Sequence, residues 1–451
     1  MSVSDPRVVL REDGEILVKA PAPAIEIWSW ALYDFANTIF SMNIVTLYFA
    51  VWIVTERGAS NTVYSIATSL SSVLVLLGAP AIGVYSDASR RRKPWVVGLT
   101  LVSVAATALL SPLSGLALSP SAAIGLLLFA FVFANTAYQL AIPPYNAMLP
   151  ELAPSASLGR LSGFGTALGY AGSIAGVLAV APFVTGGLGI RPGGRAAAFL
   201  PTAALFLLFS LPLFLFTRDH LARPPGKRPA VRLGGAFREL ARSLADSKHH
   251  PGLLRFVLAS WFYQDALGTA VSFMALYAVS VLGLPPGGEV RLFVILTVPA
   301  MVGAYVFGLA ADRYGPKRAL VWVLSGWLVG LVAVASVPTL TAFWAAGGLV
   351  GFVFGGIWAT ERPLLLKLVP DAEAGRYFGL LSLSARAAAI VGPLVWAFVV
   401  DFAFRPFGSH VAYRAAVASL ALFMAAALWL LRGVPSGDPR RGGAPGGAGT
   451  V

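Results

Sequence analysis

The chain has no cysteine, four histidines and little charge for its length. Without cysteine there is no disulfide framework, thiolate metal site or cysteine nucleophile. His220, His249, His250 and His410 lack the spacing that sets two imidazoles on one helix face, so no metal site is expected. No Walker loop, HExxH pair or nucleophile elbow occurs. An ATP-driven pump or a membrane protease therefore has no support, and neither enzyme nor cofactor chemistry is expected. GFGTALG, at residues 163–169, misses the dinucleotide fingerprint and follows no strand. Charged residues make up 12% of the 451. Soluble domains carry about 25%, so a single soluble core is excluded.

What replaces charge is apolar length. The chain is 57% hydrophobic, with a mean hydropathy of +0.77. A helix crosses about 30 Å of hydrocarbon with about 20 residues. Apolar windows of that order run over 27–54, 62–86, 94–112, 121–149, 160–188, 196–216, 253–283, 288–312, 319–337, 340–369, 376–401 and 410–432. This predicts an all-α membrane protein with about twelve transmembrane helices. The 47 glycines and 31 prolines fit, since both are commoner in membrane helices than in soluble ones. The expected organisation is a cytoplasmic tail over 1–26, a six-helix bundle over 27–216, a linker loop over 217–252, a second bundle over 253–432 and a disordered tail over 433–451. Within the linker, Phe237 to Leu244 has the pattern of a short surface helix. The N-terminus has no apolar h-region, so the first membrane helix is expected to direct insertion itself.

A net charge of +13 suggests nucleic acid only until its distribution is read. Arg90, Arg91, Arg92 and Lys93 fill one short loop. Eight further basic residues between Arg218 and Lys248 fill the linker, and Arg313, Lys317 and Arg318 fill another loop. Loops of opposite parity carry mostly single arginines, such as Arg57, Arg191 and Arg405. This bias places both termini in the cytoplasm of an inner or plasma membrane. The expected partners are the lipid bilayer, a small-molecule solute and protons; no nucleic acid partner is expected, and the chain is expected to be a monomer.

The two halves repeat one another. Trp30-x-x-x-Asp34 returns as Trp261-x-x-x-Asp265. Gly83-x-x-x-Asp87, followed by Arg90 and Arg91, returns as Gly308-x-x-x-Asp312-Arg313, followed by Arg318. Gly159-Arg160-x-x-Gly163 returns as Gly375-Arg376-x-x-Gly379. Parallel six-helix repeats with a site between them near the midplane are a transporter plan. The two Gly-x-x-x-Asp loops read as latches between bundles, against the alternative of charge that only sets topology.

Asp34 is the most informative single residue. A carboxylate at bilayer depth costs about 2.5–3.5 kcal/mol on insertion scales, so it lines a polar cavity or pairs. Asn37 shares its helix face. Two roles stay open: a proton carrier, favoured because no basic residue lies nearby in the same helix, or a counter-charge for a cationic solute. Asp265 reads alike. Asn135, Tyr138 and Gln139 form one polar face, and Tyr145 and Asn146 follow Pro143-Pro144, which is expected to break the helix ladder and free carbonyls that a cavity or a neighbour must satisfy. Each is a candidate for solute contact or for helix packing. Glu361 and Arg362 suggest an internal pair, and Arg386 a neutraliser of a protein or solute carboxylate. Gly165, Gly169, Gly172 and Gly176 make a packing stripe.

At these residues the chain resembles the major facilitator superfamily, specifically its UMF1 branch, related to a yeast vacuolar autophagy protein that effluxes amino acids. The segments carrying the resemblance include Trp30-Ala-Leu-Tyr-Asp34-Phe-Ala-Asn37, Pro144-Tyr-Asn-Ala-Met-Leu-Pro150-Glu151, Tyr263-Gln-Asp265, Asp312-Arg-Tyr-Gly315 and the run from Tyr377 through Arg386 to Pro393. The resemblance implies the two-bundle major facilitator fold and secondary transport by alternating access, not a named solute. The chain departs from the branch at Ala266, at Trp358-Ala-Thr-Glu361-Arg362 and at Ala385-Arg386. Trp358 and Glu361 reshape a cavity wall. Two other classes are kept: a lipid-translocating or lipid-recognising protein, and a non-transporting sensor or scaffold acting through the linker.

The charge asymmetry makes a topological prediction. In this cysteine-free chain, Cys placed at Arg92 or Lys227 should react only with reagent on the cytoplasmic side, and Cys near Arg191 only from outside. Reversed labelling would rule out the orientation.

Overall fold

The computed structural model describes residues 8–10, 16–18, 21–59, 61–186, 189, 193–220, 252–283 and 288–436. The expected surface helix at 237–244, most of the linker and the last part of the C-terminal tail lie outside the described residues. So do Lys227 and Arg191.

Twelve long helices can be followed in chain order. They are α1 Ala24–Val54, α2 Asn61–Ser89, α3 Lys93–Ser114, α4 Pro120–Ala147, α5 Leu158–Thr185 and α6 Phe199–Phe216. The second half holds α7 Leu253–Leu282, α8 Gly288–Tyr314, α9 Pro316–Ser336, α10 Leu340–Leu368, α11 Ala374–Phe398 and α12 Ser409–Arg432. Among the described residues, ten spans are long and apolar enough to cross a bilayer. α7 and α8, with 30 and 27 residues, add two of the same length. Large apolar side chains such as Leu178, Phe398, Leu422 and Trp429 face outward. This is a multi-pass membrane protein. A two-stranded antiparallel ribbon, Val8–Leu10 against Ile16–Val18, stands where the sequence reading placed a plain tail.

Local chemistry sets the helix starts. Pro94, Pro120 and Pro316 occupy first-turn positions, where a missing N–H costs nothing. Gly315, with φ +91°, makes the turn into α9 that a side chain would resist. α4 runs through Pro143 and Pro144 to Ala147, although neither proline can donate to the helix ladder. Tyr145 and Trp30 support that last turn with reciprocal bonds. The Tyr145 hydroxyl donates to the Trp30 carbonyl at 3.0 Å, and the Trp30 indole donates to the Tyr145 carbonyl at 3.3 Å. α1 carries a π-helical stretch, Ser41–Tyr48, one turn beyond Asn37.

Within the first half α1 packs on α5 and α6, and α4 on α2 and α3. Within the second, α8 and α9 pack on α10, and α7 on α11 and α12. The halves meet along two equivalent seams, α5 against α8 and α2 against α11. The glycine stripe serves α1: a side chain at Gly172 would strike the Phe35 backbone, and one at Gly176 would crowd Ile39.

Candidate functional site

Two locks join the bundles. One lies at the end carrying the basic loops. Gly83 of α2 lies against Gly375 of α11, and Gly308 of α8 against Gly159 of α5; a Cβ at any of the four would strike the opposite helix. That closeness lets Asp87 reach the first turn of α11, accepting from the backbone amides of Gly375 at 3.1 Å and Arg376 at 2.7 Å. Asp312 mirrors it on α5, accepting from Gly159 at 2.7 Å and Arg160 at 2.8 Å. Each carboxylate satisfies amides that a helix N-terminus leaves orphaned and sits at the positive end of its dipole.

Arg92, absent from the candidates, completes the first latch. It is buried, and its guanidinium donates to Asp87 at 3.2 Å, to Glu151 at 2.8 Å and to the Asp371 carbonyl of the other bundle at 2.9 Å. Asp219 fixes the turn by accepting from the Arg92 and Lys93 amides at 3.0 and 2.9 Å. Burial pushes the Glu151 carboxyl above its ordinary range, opposed by Arg92. His220 bonds Glu151 through its amide and Glu26 through its ring, at 2.9 Å each. In sequence Arg92 looked like one more topology-setting charge. The neighbouring acid Glu151 was its only signal. Arg91, by contrast, is exposed, and Arg90 turns the chain with φ +52°. Arg313 lies over the Tyr314 ring and Arg318 is exposed, so neither enters the seam. Position 91, not the buried 92, is therefore the one to label on this loop.

The second lock lies inside the membrane span. Arg362 of α10 donates to both oxygens of Asp34 on α1, at 2.9 and 3.3 Å. The guanidinium also sits 6.0 Å from the Trp30 ring and 5.8 Å from the Tyr145 ring. Those rings stack at 4.8 Å. Gly165 makes room, since a Cβ there would come within 2.8 Å of the carboxylate. The expected Glu361–Arg362 pair does not form through hydrogen bonds. Consecutive helical residues point about 100° apart, and Arg362 turns to the other bundle. The cation absent from α1 itself arrives from α10, so the argument for Asp34 as an uncompensated proton carrier fails.

Glu361 instead accepts from the Tyr263 hydroxyl at 2.5 Å and from the Gln264 amide at 3.2 Å, both on α7. Neither donor was among the candidates. Asp265, the repeat mate of Asp34, stays within its own half and accepts from the Gly392 amide at 2.8 Å. Asn135 donates to Ser71 at 3.0 Å and Gln139 to Asn135 at 3.1 Å, so part of the α4 polar face packs helices. Tyr138 lies 4.8 Å from Phe40. The side-chain carbonyls of Asn37, Gln139 and Asn146 are buried without a donor among the described residues. Arg386 of α11 lies within electrostatic reach of Tyr138 of α4, and no carboxylate among the described residues pairs with it.

The family described as "Vacuole effluxer Atg22 like" matches residues 50–441. The chain belongs to that family. An MFS-type transporter of Bacillus subtilis (strain 168), YxiO, is 29% identical over 81% of this chain and 86% of its own length. The multidrug resistance protein MdtG of Proteus mirabilis (strain HI4320) is 26% identical over 58% of this chain and 63% of its own. Among solved structures, the human organic anion transporter MFSD10 superposes with a TM-score of 0.70 at 14% identity, covering 91% of this chain and all of that one. A bacterial homologue of the iron transporter ferroportin, in its outward-facing state, gives 0.68 at 14% identity over 91% of this chain and 99% of its own. The fold is the major facilitator fold, and the Atg22-like chain is a secondary transporter of small solutes.

Each lock has a distinct test. Asp312→Ala deletes a cap worth about 0.5–2 kcal/mol, so opening of the α5–α8 seam should rise about 2- to 30-fold. The labelling rate of a buried Cys at Ser162 would report it, and an unchanged rate would show that the contact does not hold the seam. For the inner lock, Asp34→Asn leaves a buried guanidinium without its carboxylate, costing about 3–5 kcal/mol. Thermal unfolding in detergent should show Asp34→Asn and Arg362→Gln each more damaging than the double variant relative to additivity.

Proposed function

We propose that this Atg22-like transporter carries a small amphipathic solute bearing a carboxylate or similar anion, binding it at Arg386 and releasing it outward by rocking one six-helix bundle against the other. The observation that carries this reading is the guanidinium of Arg386, which lies within electrostatic reach of Tyr138 of the other half and has no carboxylate partner among the described residues. A cation in a membrane span is costly without a partner, so a solute anion is a natural counter-charge. The orphaned carbonyls of Asn37, Gln139 and Asn146 offer acceptors to a donor group such as an ammonium. An amino acid has both features, and so do many xenobiotics. The names of the relatives, an effluxer and a multidrug resistance protein, agree with export. In this reading the basic loops and both termini lie in the cytoplasm of an inner or plasma membrane, and the chain works as a monomer.

Three features give the rocking its physical basis. The seams are lined by glycine, so they close tightly without interlocked side chains. The helix caps and the Asp34–Arg362 pair each bridge the two bundles. The state described here is closed at the basic end, and opening must release all of these contacts.

Reconstituted vesicles and a panel of anionic, zwitterionic, cationic and neutral solutes test the proposal. Arg386→Gln should raise the KM of the transported anionic or zwitterionic solute about 10- to 100-fold, the cost of one charged hydrogen bond. Transport restricted to cations, or an unchanged KM, would sink the anion reading. Lipid movement without solute movement would favour a lipid translocator.

A further inference from the structure

We propose that the groove between α9 and α12 at the basic end is a binding site for one anionic phospholipid of the adjacent leaflet, held as a ligand rather than as cargo. The inference is independent of the solute at Arg386, because α9 and α12 pack within the second half and neither enters the two seams.

The groove has a volume of about 420 Å³ and is lined by Lys317, Val321, Ser325, Leu428, Leu431 and Arg432. Small-ligand sites span about 300–1,000 Å³, so a lipid headgroup and the start of an acyl chain fit. Lys317, Val321 and Ser325 are four residues apart and share one face of α9. Leu428, Leu431 and Arg432 share one face of the last turn of α12. The lining is therefore ordered along the helix axes. The two cations stand at the helix ends, the aliphatic side chains lie beneath them, and Ser325 lies about 12 Å deeper than Lys317. A phospholipid has the same order, with a charged phosphate above hydrocarbon. Trp322 and Trp429 adjoin Val321 and Leu428 in the chain, and both are exposed. Exposed indoles one to two turns from a helix end mark headgroup depth.

Charge selects the headgroup. Arg255 donates to the Gly433 carbonyl at 3.2 Å, and Lys317 donates to the carbonyls of Arg432 and Val434. Those carbonyls close α12, and a helix C-terminus carries about half a negative charge. Against it stand the side-chain cations of Arg255, Lys317, Arg318 and Arg432, of which the three arginines are exposed. No carboxylate among the described residues pairs with any of them. Asp312, the nearest acid in the chain, is held by α5. An ammonium has three N–H donors and a guanidinium five, so donors remain for a phosphate after the carbonyls are served. A zwitterionic headgroup would bring its own ammonium into this cluster and be repelled. Basic pockets between membrane helices are a recurrent form of headgroup site.

The experiment strips lipid from the full chain in detergent and titrates it with dioleoyl phosphatidylglycerol or dioleoyl phosphatidylcholine. Bound lipid is counted by native mass spectrometry. One phosphatidylglycerol should bind about 10-fold or more tightly than phosphatidylcholine, the scale of one charged hydrogen bond. Arg432→Gln and Lys317→Gln should each remove most of that preference. Lys317 also closes the end of α12, so Val321→Trp serves if Lys317→Gln does not fold. It fills the groove without changing charge and should likewise lose the lipid. Arg405→Gln, which removes an exposed arginine at the opposite end of α12, should bind as the parent does. Glycerol 1-phosphate should fail to displace the lipid; displacement would assign the site to a soluble phosphate and overturn the lipid reading. Equal affinity for the two lipids would also overturn it, as would a parent-like preference in Arg432→Gln or Val321→Trp. An equal loss in Arg405→Gln would leave only diffuse surface charge and sink the proposal.

Discussion

The contact on which the arrangement depends is a carboxylate of one bundle seated on the helix N-terminus of the other. Asp87 caps α11 and Asp312 caps α5. Both depend on glycine, since Gly83 and Gly308 bring the backbones close enough for a short side chain to reach. A helix N-terminus offers unpaired N–H groups and partial positive charge, so the contact forms at fixed geometry without a flexible basic side chain. Such a bond breaks and re-forms as a unit when two rigid bodies separate. Its modest energy, about 0.5–2 kcal/mol per cap, suits a gate that must also open.

The inner pair works differently. Asp34 and Arg362 are buried, and their attraction is set against the loss of water around both charges. Its value therefore lies less in stability than in state. The charges satisfy one another when the bundles are closed at the basic end and require new partners when they are not. The guanidinium lies within cation–π reach of the stacked Trp30 and Tyr145 rings, which favours arginine over lysine at this position. Gate and pair together make the closed state specific at both the surface and the membrane interior.

The repeat is kept where it builds the gate and broken where chemistry is done. The two Gly-x-x-x-Asp seams mirror one another closely. Asp34 and Asp265 do not: one crosses between bundles and the other bonds the Gly392 amide within its own half. A hinge needs equivalent surfaces, whereas a site for one asymmetric solute needs different groups on its two walls. Where the chain departs from its branch, the Trp358 carbonyl meets Ser162 of the first bundle, while Glu361 turns to α7 of its own half.

Hydropathy and charge determined the helix spans, the repeat and the class of protein from sequence alone. A bilayer leaves a helix few alternatives, because unpaired backbone groups cannot remain in hydrocarbon. Pattern also located both gate acids, because glycine and aspartate at fixed spacing before a basic loop recur in each half. Pairing was not legible. Asp34 and Arg362 are far apart in the chain, and sequence offered Glu361 and Arg386 as equally plausible partners. Arg92 looked like its neighbours until the fold buried it beside Glu151. Sequence thus determined which residues had to find partners within the membrane. Only the packing of one bundle against the other decided which partners they found, because the direction of a long side chain depends on helix rotation and on the space left by glycine across the seam.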